Sequence, residues 1–168
     1  MVSNLKKVVA VGLWMAVFIL WPAGSRAAPD YQPTNDGGNF GLGLELGDPG
    51  VWGVDGKIWI DQTNAFQPAV KFSDGGSGVL QLDYLWHNFD VVRLKDGGQM
   101  PFYIGVGGDF ILQSASSLAV RVPLGLSYIF EKKDVPIDIY FQLVPTIWFF
   151  NAGSEFDLYP ELGGRFYL

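Results

Sequence analysis

A single histidine, His87, is available for acid–base chemistry, and it lies between Asp83 and Asp90. A nucleophilic site needs a serine or cysteine, a base and an orienting acid within hydrogen-bond reach. No serine is near His87 in sequence, and the chain has no cysteine. The residues therefore predict a strand-end or interfacial histidine and no enzyme. The missing cysteines also exclude disulfides and thiolate metal sites, and one histidine is a poor ligand set for zinc, so no metal and no cofactor is expected. The runs Gly41-x-Gly43 and Gly105-x-Gly107-Gly108 are not nucleotide loops, because no strand-to-helix crossover follows them. What remains is ionic. Glu45, Asp55, Lys57, Lys71, Asp83, Asp109, Arg121, Asp138, Glu161 and Arg165 fall at alternate positions of period-two segments, interleaved with Gly41, Gly43, Gly53, Gly105, Gly107, Gly125 and Gly163. Such a row could line a pore. In a narrow interior it is expected to pair and plug it, since an unpaired buried charge costs several kcal/mol.

The elements that carry these residues follow from composition and period. The 168 residues leave room for one domain, and 49% hydrophobic with 15% aromatic content excludes disorder. No apolar run reaches the length of a transmembrane helix. Lys6 and Lys7, an apolar stretch from Val8 to Trp21, the breakers Pro22 and Gly24, and Ser25-Arg26-Ala27 predict a cleaved signal peptide over 1–27. A polar periplasmic linker is expected over 28–38. Three of the 11 basic residues lie in the leader, leaving eight against 17 acidic ones, a formal charge of −9, which argues against a nucleic-acid partner. From residue 39 to 168 the period is two, with Gly, Pro, Asn, Asp and Ser turn signals at strand spacing. The pattern predicts eight strands: Asn39–Leu46, Val51–Ile60, Ala65–Phe72, Val79–His87, Met100–Leu112, Leu118–Phe130, Val135–Phe150 and Phe156–Leu168. Short connections make them an antiparallel meander. A change of parity at His87-Asn88 suggests a bulge in the fourth strand.

One face of these strands is apolar throughout, for example Phe40, Leu42, Leu44 and Leu46 in the first and Leu80, Leu82, Tyr84 and Trp86 in the fourth; the other holds the charges and glycines. Alternation alone does not say which face points outward. Three features favour lipid outside. Aromatics (Phe40, Trp52, Phe72, Trp86, Phe102, Phe130, Phe149, Phe166) sit toward row ends, as interfacial girdles do. The polar face is too rich in glycine for a solvated surface. The apolar rows are too bulky for an eight-stranded interior.

These residues carry a resemblance. The chain resembles the small OmpA/OmpX-type eight-stranded outer-membrane barrels and, more narrowly, a bacterial barrel family of unassigned function. The narrower likeness rests on Phe40–Gly50, Lys57–Ile60 with Asn64-Ala65, Asp83–Asp90 and Arg121–Phe130 with Glu131-Lys132. The closing Gly164-Arg165-Phe166-Tyr167-Leu168 is similar to the signal read by the barrel-assembly machinery, although that signal usually ends in Phe or Trp. The resemblance implies a bacterial outer-membrane location, lipid and the assembly machinery as partners, and a monomer.

The resulting expectation is an all-β, eight-stranded up-and-down transmembrane barrel with a charge-paired, largely closed lumen and a structural or envelope-integrity role. The alternatives are a soluble periplasmic barrel binding an apolar ligand and a lipid-modifying barrel enzyme. Every connection is short, which disfavours an adhesin. One register is specific enough to check: a hairpin centred on Ala115 sets Asp109 directly opposite Arg121, close enough to form an ion pair.

Overall fold

The computed structural model describes residues 39–48, 50–73, 76–92, 98–112, 117–130, 136–150 and 153–168. The expected leader and linker, the centre of the connection after His87 and several turn centres lie outside the described residues. Those described form ten strand segments and no helix: β1 (Phe40–Leu46), β2 (Val51–Trp59), β3 (Asn64–Ser73), β4 (Gly78–Asn88), β5 (Gly98–Gln99), β6 (Phe102–Leu112), β7 (Ser117–Arg121), β8 (Leu124–Phe130), β9 (Ile137–Phe150) and β10 (Gly153–Tyr167). All pairings are antiparallel, and β10 pairs with β1, closing the sheet.

The ring has eight positions because two strands are each interrupted by a proline. Gly98 faces Phe130 and Phe102 faces Leu126 in one continuous register, so β5 and β6 are one strand broken at Met100-Pro101. Likewise β7 and β8 keep one register against β9 across Val122-Pro123. Proline lacks an N–H but keeps its acceptor. Ser127 N donates to Pro101 O at 3.1 Å and Gly105 N to Pro123 O at 2.8 Å, so the ladder continues through both sites. Gly50, at φ 84°, supplies the left-handed position of the β1–β2 turn. The bulge expected at His87-Asn88 is absent. β4 runs regularly to Asn88, which faces Phe102, because the parity change belongs to the segment after the strand, where Phe89 and Val91 lie.

The register also sets the size of the barrel. Followed from strand to strand, Gly43 faces Asp55, then Ala69, Gln81, Asp109, Ala119, Trp148 and Glu155. The β10–β1 register, with Gly163 facing Glu45, returns that path to β1 at position 53, ten residues from its start. Eight strands with a stagger of ten tilt by about 40° at ~3.3 Å per residue and ~4.8 Å between strands. Phe102 and Leu112, at the ends of the outward row of β6, are therefore about 25 Å apart along the axis.

The apolar face points outward. Leu80 and Leu82 are 43% and 54% exposed, and large apolar side chains are exposed on every one of the eight ring strands. No charged residue occupies an outward position in the described strands. The interior is the polar side, and the ten charges of the alternating row are all buried there.

Candidate functional site in the barrel lumen

The lumen network depends on glycines placed between bonding partners. Gly107 on β6 directly faces Asp83 on β4 and Arg121 on β7. With no side chain between them, Arg121 Nε reaches Asp83 Oδ1 at 3.1 Å across the intervening strand. A Cβ on Gly107 would lie 1.9 Å from Asp83 Oδ1 and 2.4 Å from Leu82 O. Gly43 repeats the arrangement, facing Asp55 on one side and Arg165 on the other, and Arg165 Nε meets Asp55 Oδ2 at 2.5 Å. The same register sets Gly53 between Glu45 and Lys71, Gly125 between Tyr103 and Gln142, and Gly163 between Glu45 and Tyr140. Each of these flanking pairs is also bonded. Alternation alone sets these glycines on the inward face; their spanning role becomes legible only with the register.

Two clusters result, one toward the end that carries the turn after Leu46 (the turn end) and one toward the end that carries Phe40 and Leu168 (the terminal end). In the first, Arg121 is the hub. It donates to Gln81 Oε1 at 2.7 Å, Asp109 at 3.2 Å and Glu161 Oε2 at 2.6 Å, and its Nε forms an ion pair with Asp83. Lys71 bridges Glu161 and Glu45, the latter at 2.5 Å. Gln142 Nε2 donates to Glu161 at 2.5 Å. The expected register is corrected here. Arg121 faces Gly107 and Asp109 faces Ala119, so the Arg121–Asp109 contact is diagonal. A slip of two residues leaves both side chains inward, so alternation could not separate the two registers.

In the second cluster Asp138 is the centre. It accepts from Ser127 Oγ at 2.8 Å, Tyr167 Oη at 3.0 Å, Arg165 Nη1 at 3.4 Å and Lys57 Nζ at 3.5 Å. Trp59 Nε1 donates to Tyr167 Oη at 3.1 Å, and Lys57 Nζ lies 4.5 Å from the Trp59 ring centroid. The Arg165 guanidinium stacks 3.8 Å from the Tyr140 ring. Aromatic rings close this end. His87 packs 4.4 Å from Trp59 and 5.1 Å from Tyr103, with Phe89 beside it.

His87, next to last in β4, turns inside the barrel and is 5% exposed; it lies at a strand end, as its sequence context suggested, but not on the outer interface. Its Nδ1 donates to Thr63 O at 3.0 Å, and its Nε2 has no hydrogen-bond partner among the described residues. Ser127 donates to Asp138 instead, so no nucleophile–base pair forms around His87 among the described residues.

On the outer surface Trp52 directly faces Phe72, with ring centroids 5.1 Å apart, and Phe149 lies at the same turn end. Phe40, Trp86, Phe102, Phe130 and Phe166 lie toward the terminal end, with Tyr84 edge-on to Trp86 at 4.7 Å and Tyr128 edge-on to Phe130 at 4.7 Å.

No protein-family model matches the chain, and no curated protein matches it. Among solved structures the chain is similar to the N-terminal β-barrel domain of Pseudomonas aeruginosa OprF, with a TM-score of 0.49 and 11% identity over 79% of this chain and 99% of that one.

Proposed function

We propose that the protein is a monomeric integral barrel of the bacterial outer membrane, inserted by the barrel-assembly machinery, with a structural or envelope-integrity role and no catalysis. One observation carries this reading: an outward surface that is apolar and uncharged on all eight strands, with its charges turned inward. Soluble monomers rarely expose apolar patches beyond a few hundred Å². The height of about 25 Å between Phe102 and Leu112 matches the apolar band of an outer-membrane barrel. Aromatic side chains at both ends of the outer rows suit the two membrane interfaces. The interior supports the closed-lumen part of the reading. An eight-stranded interior is just wide enough for side chains to fill, and here Arg121, Arg165, Tyr103, Tyr140 and Tyr167 are among its largest fully buried groups. A soluble carrier of apolar ligands needs an apolar interior, and this one is ionic. Phe166, in the segment that resembles an assembly signal, pairs with Leu42 at the seam.

The test is fractionation of cells expressing the full chain, followed by electrophoresis of unheated and boiled samples. The expected result is recovery with the outer membrane and a folded band that shifts on boiling. Recovery in a detergent-free periplasmic extract would overturn the membrane reading.

A further inference from the structure

Among the described residues the lumen buries six carboxylates (Glu45, Asp55, Asp83, Asp109, Asp138, Glu161) and four cations (Lys57, Lys71, Arg121, Arg165). Fully ionised, the network would hold two uncompensated negative charges. A buried carboxylate without a counter-charge takes up a proton rather than remain ionised. This imbalance holds whatever medium surrounds the barrel.

Hydrogen-bond geometry points the same way independently. The Tyr140 hydroxyl lies 2.6 Å from Glu45 Oε2 and 3.1 Å from Asp55 Oδ2. One O–H can donate to only one of them. The other contact sets an oxygen lone pair against an ionised carboxylate unless that carboxyl carries its own hydrogen. Nearby, two buried acceptors, Asp55 Oδ1 and Gln67 Oε1, have no donor, although the Gln67 amide donates to Glu45 from its other end at 3.4 Å.

The remaining carboxylates divide clearly. Asp138 receives hydrogen bonds from Ser127, Tyr167, Lys57 and Arg165, and Glu161 from Lys71, Arg121 and Gln142, so each has the donors an ionised carboxylate needs. Asp83 and Asp109 instead share Arg121 with Glu161, and among the described residues the one other donor to either of them is Gln81 Nε2, on Asp83 at 2.9 Å. We infer that the closed barrel holds two protons taken from solvent, one shared by Glu45 and Asp55 across Tyr140 and one shared by Asp83 and Asp109 around Arg121. Charges facing the first site are Lys71 from β3, Arg165 from β10, Lys57 from β2 and Arg121 from β7; those facing the second are Arg121 from β7, Lys71 from β3 and Glu161 from β10. With both protons in place the four cations balance the four remaining carboxylates.

The folded chain then binds more protons than the unfolded chain at neutral pH, so stability falls as pH rises. Each lost proton lowers the folding constant up to about tenfold per pH unit. The experiment is urea titration of the full chain in lipid vesicles from about pH 6 to about pH 9, reading the fraction with folded electrophoretic mobility. The chains compared are wild type, Asp109→Asn, Glu45→Gln, the double variant and Asp138→Asn. Comparing slopes between chains cancels the titration of His87, which all of them share. Each amide mimics a protonated acid, and Arg121 and Lys71 keep Glu161 as a partner in all of these variants. Each single variant among Asp109→Asn and Glu45→Gln is expected to lose about one proton's slope, up to about tenfold per pH unit, and the double variant to be nearly flat. Asp138→Asn is expected to weaken folding at every pH, because four donors lose their acceptor. The infrared C=O stretch of protonated carboxyl groups in folded wild type needs no variant; it is expected at neutral pH and should fade as pH rises. A wild-type slope unchanged in the double variant, or no protonated-carboxyl band at neutral pH, would overturn the inference.

Discussion

Replacing Gly107 by alanine should disable the barrel, although the change adds one methyl group. The new Cβ would stand 1.9 Å from Asp83 Oδ1, 2.4 Å from Leu82 O and 2.7 Å from Asp83 Cα. The last two atoms belong to the backbone of the directly paired strand and cannot rotate away, so β4 and β6 must separate while the Asp83 carboxylate leaves Arg121. Overpacking costs about 1–3 kcal/mol, and breaking a buried ion pair about 3–5 kcal/mol. The two together, roughly 4–8 kcal/mol, are comparable with the whole stability of a typical domain at 5–15 kcal/mol. The control is Gly164→Ala on the outward face of β10, where the nearest atom to the new Cβ is Asp138 O at 3.7 Å; its effect should stay within about 0.5 kcal/mol. Urea titration in detergent micelles, reading the fraction of folded-mobility band, measures both. Adding Asp83→Ala to Gly107→Ala should recover part of the loss, because the carboxylate clash disappears while the backbone clash stays. If Gly107→Ala matched Gly164→Ala, side chains would not reach across β6 and the glycine-spanned network would be refuted.

Three further outcomes are expected. Leu124→Arg, near the middle of the outward row, should cost roughly 2–4 kcal/mol in lipid, and Val120→Arg, nearer the turn end, about 0–1 kcal/mol; equal small effects would place that row outside lipid. Arg121→Ala should cost about 3–5 kcal/mol by stranding its carboxylates, and a double-mutant cycle with Glu161→Ala should show coupling of about 1 kcal/mol or more; additive losses would remove Arg121 as the hub. Asp61, in the turn after β2, has its carboxyl pushed up by burial, but hydrogen bonds from Asn64 and Thr63 together outweigh this and hold it below its ordinary 3.8. Its contribution is therefore full above that value and lost as pH falls through the lower folded value. Asp61→Ala should speed amide exchange at Thr63 and Asn64, most clearly near neutral pH; unchanged exchange there would argue against the capped turn.

Strand existence, the two faces and the inward charges were legible from residues alone, because a period of two is a local property that survives any choice of partner strand. Turn chemistry was equally local: Gly50 and the Asp61–Asn64 turn lie where the pattern demands reversals. The prolines were less readable. Pro101 and Pro123 split two segments, yet their carbonyls keep the ladder intact, which depends on the neighbouring strand.

Register, stagger and cluster geometry belonged to the tertiary structure. A slip of two residues preserves every side-chain direction, so Asp109 opposite Arg121 and Asp109 opposite Ala119 are equivalent on the local pattern. His87 shows the same limit. Its neighbours placed it at a strand end, but only the β4–β6 ladder turns it inside, beside Trp59 and Tyr103. Alternation by itself separated an apolar row from a charged one, and aromatic placement and bulk argued for lipid outside. Only closure through β10 and β1 turned the apolar row outward and brought Arg165 to Asp55 and Arg121 to Asp83 across single glycines, since contacts between strands distant in sequence depend on how all eight are staggered together.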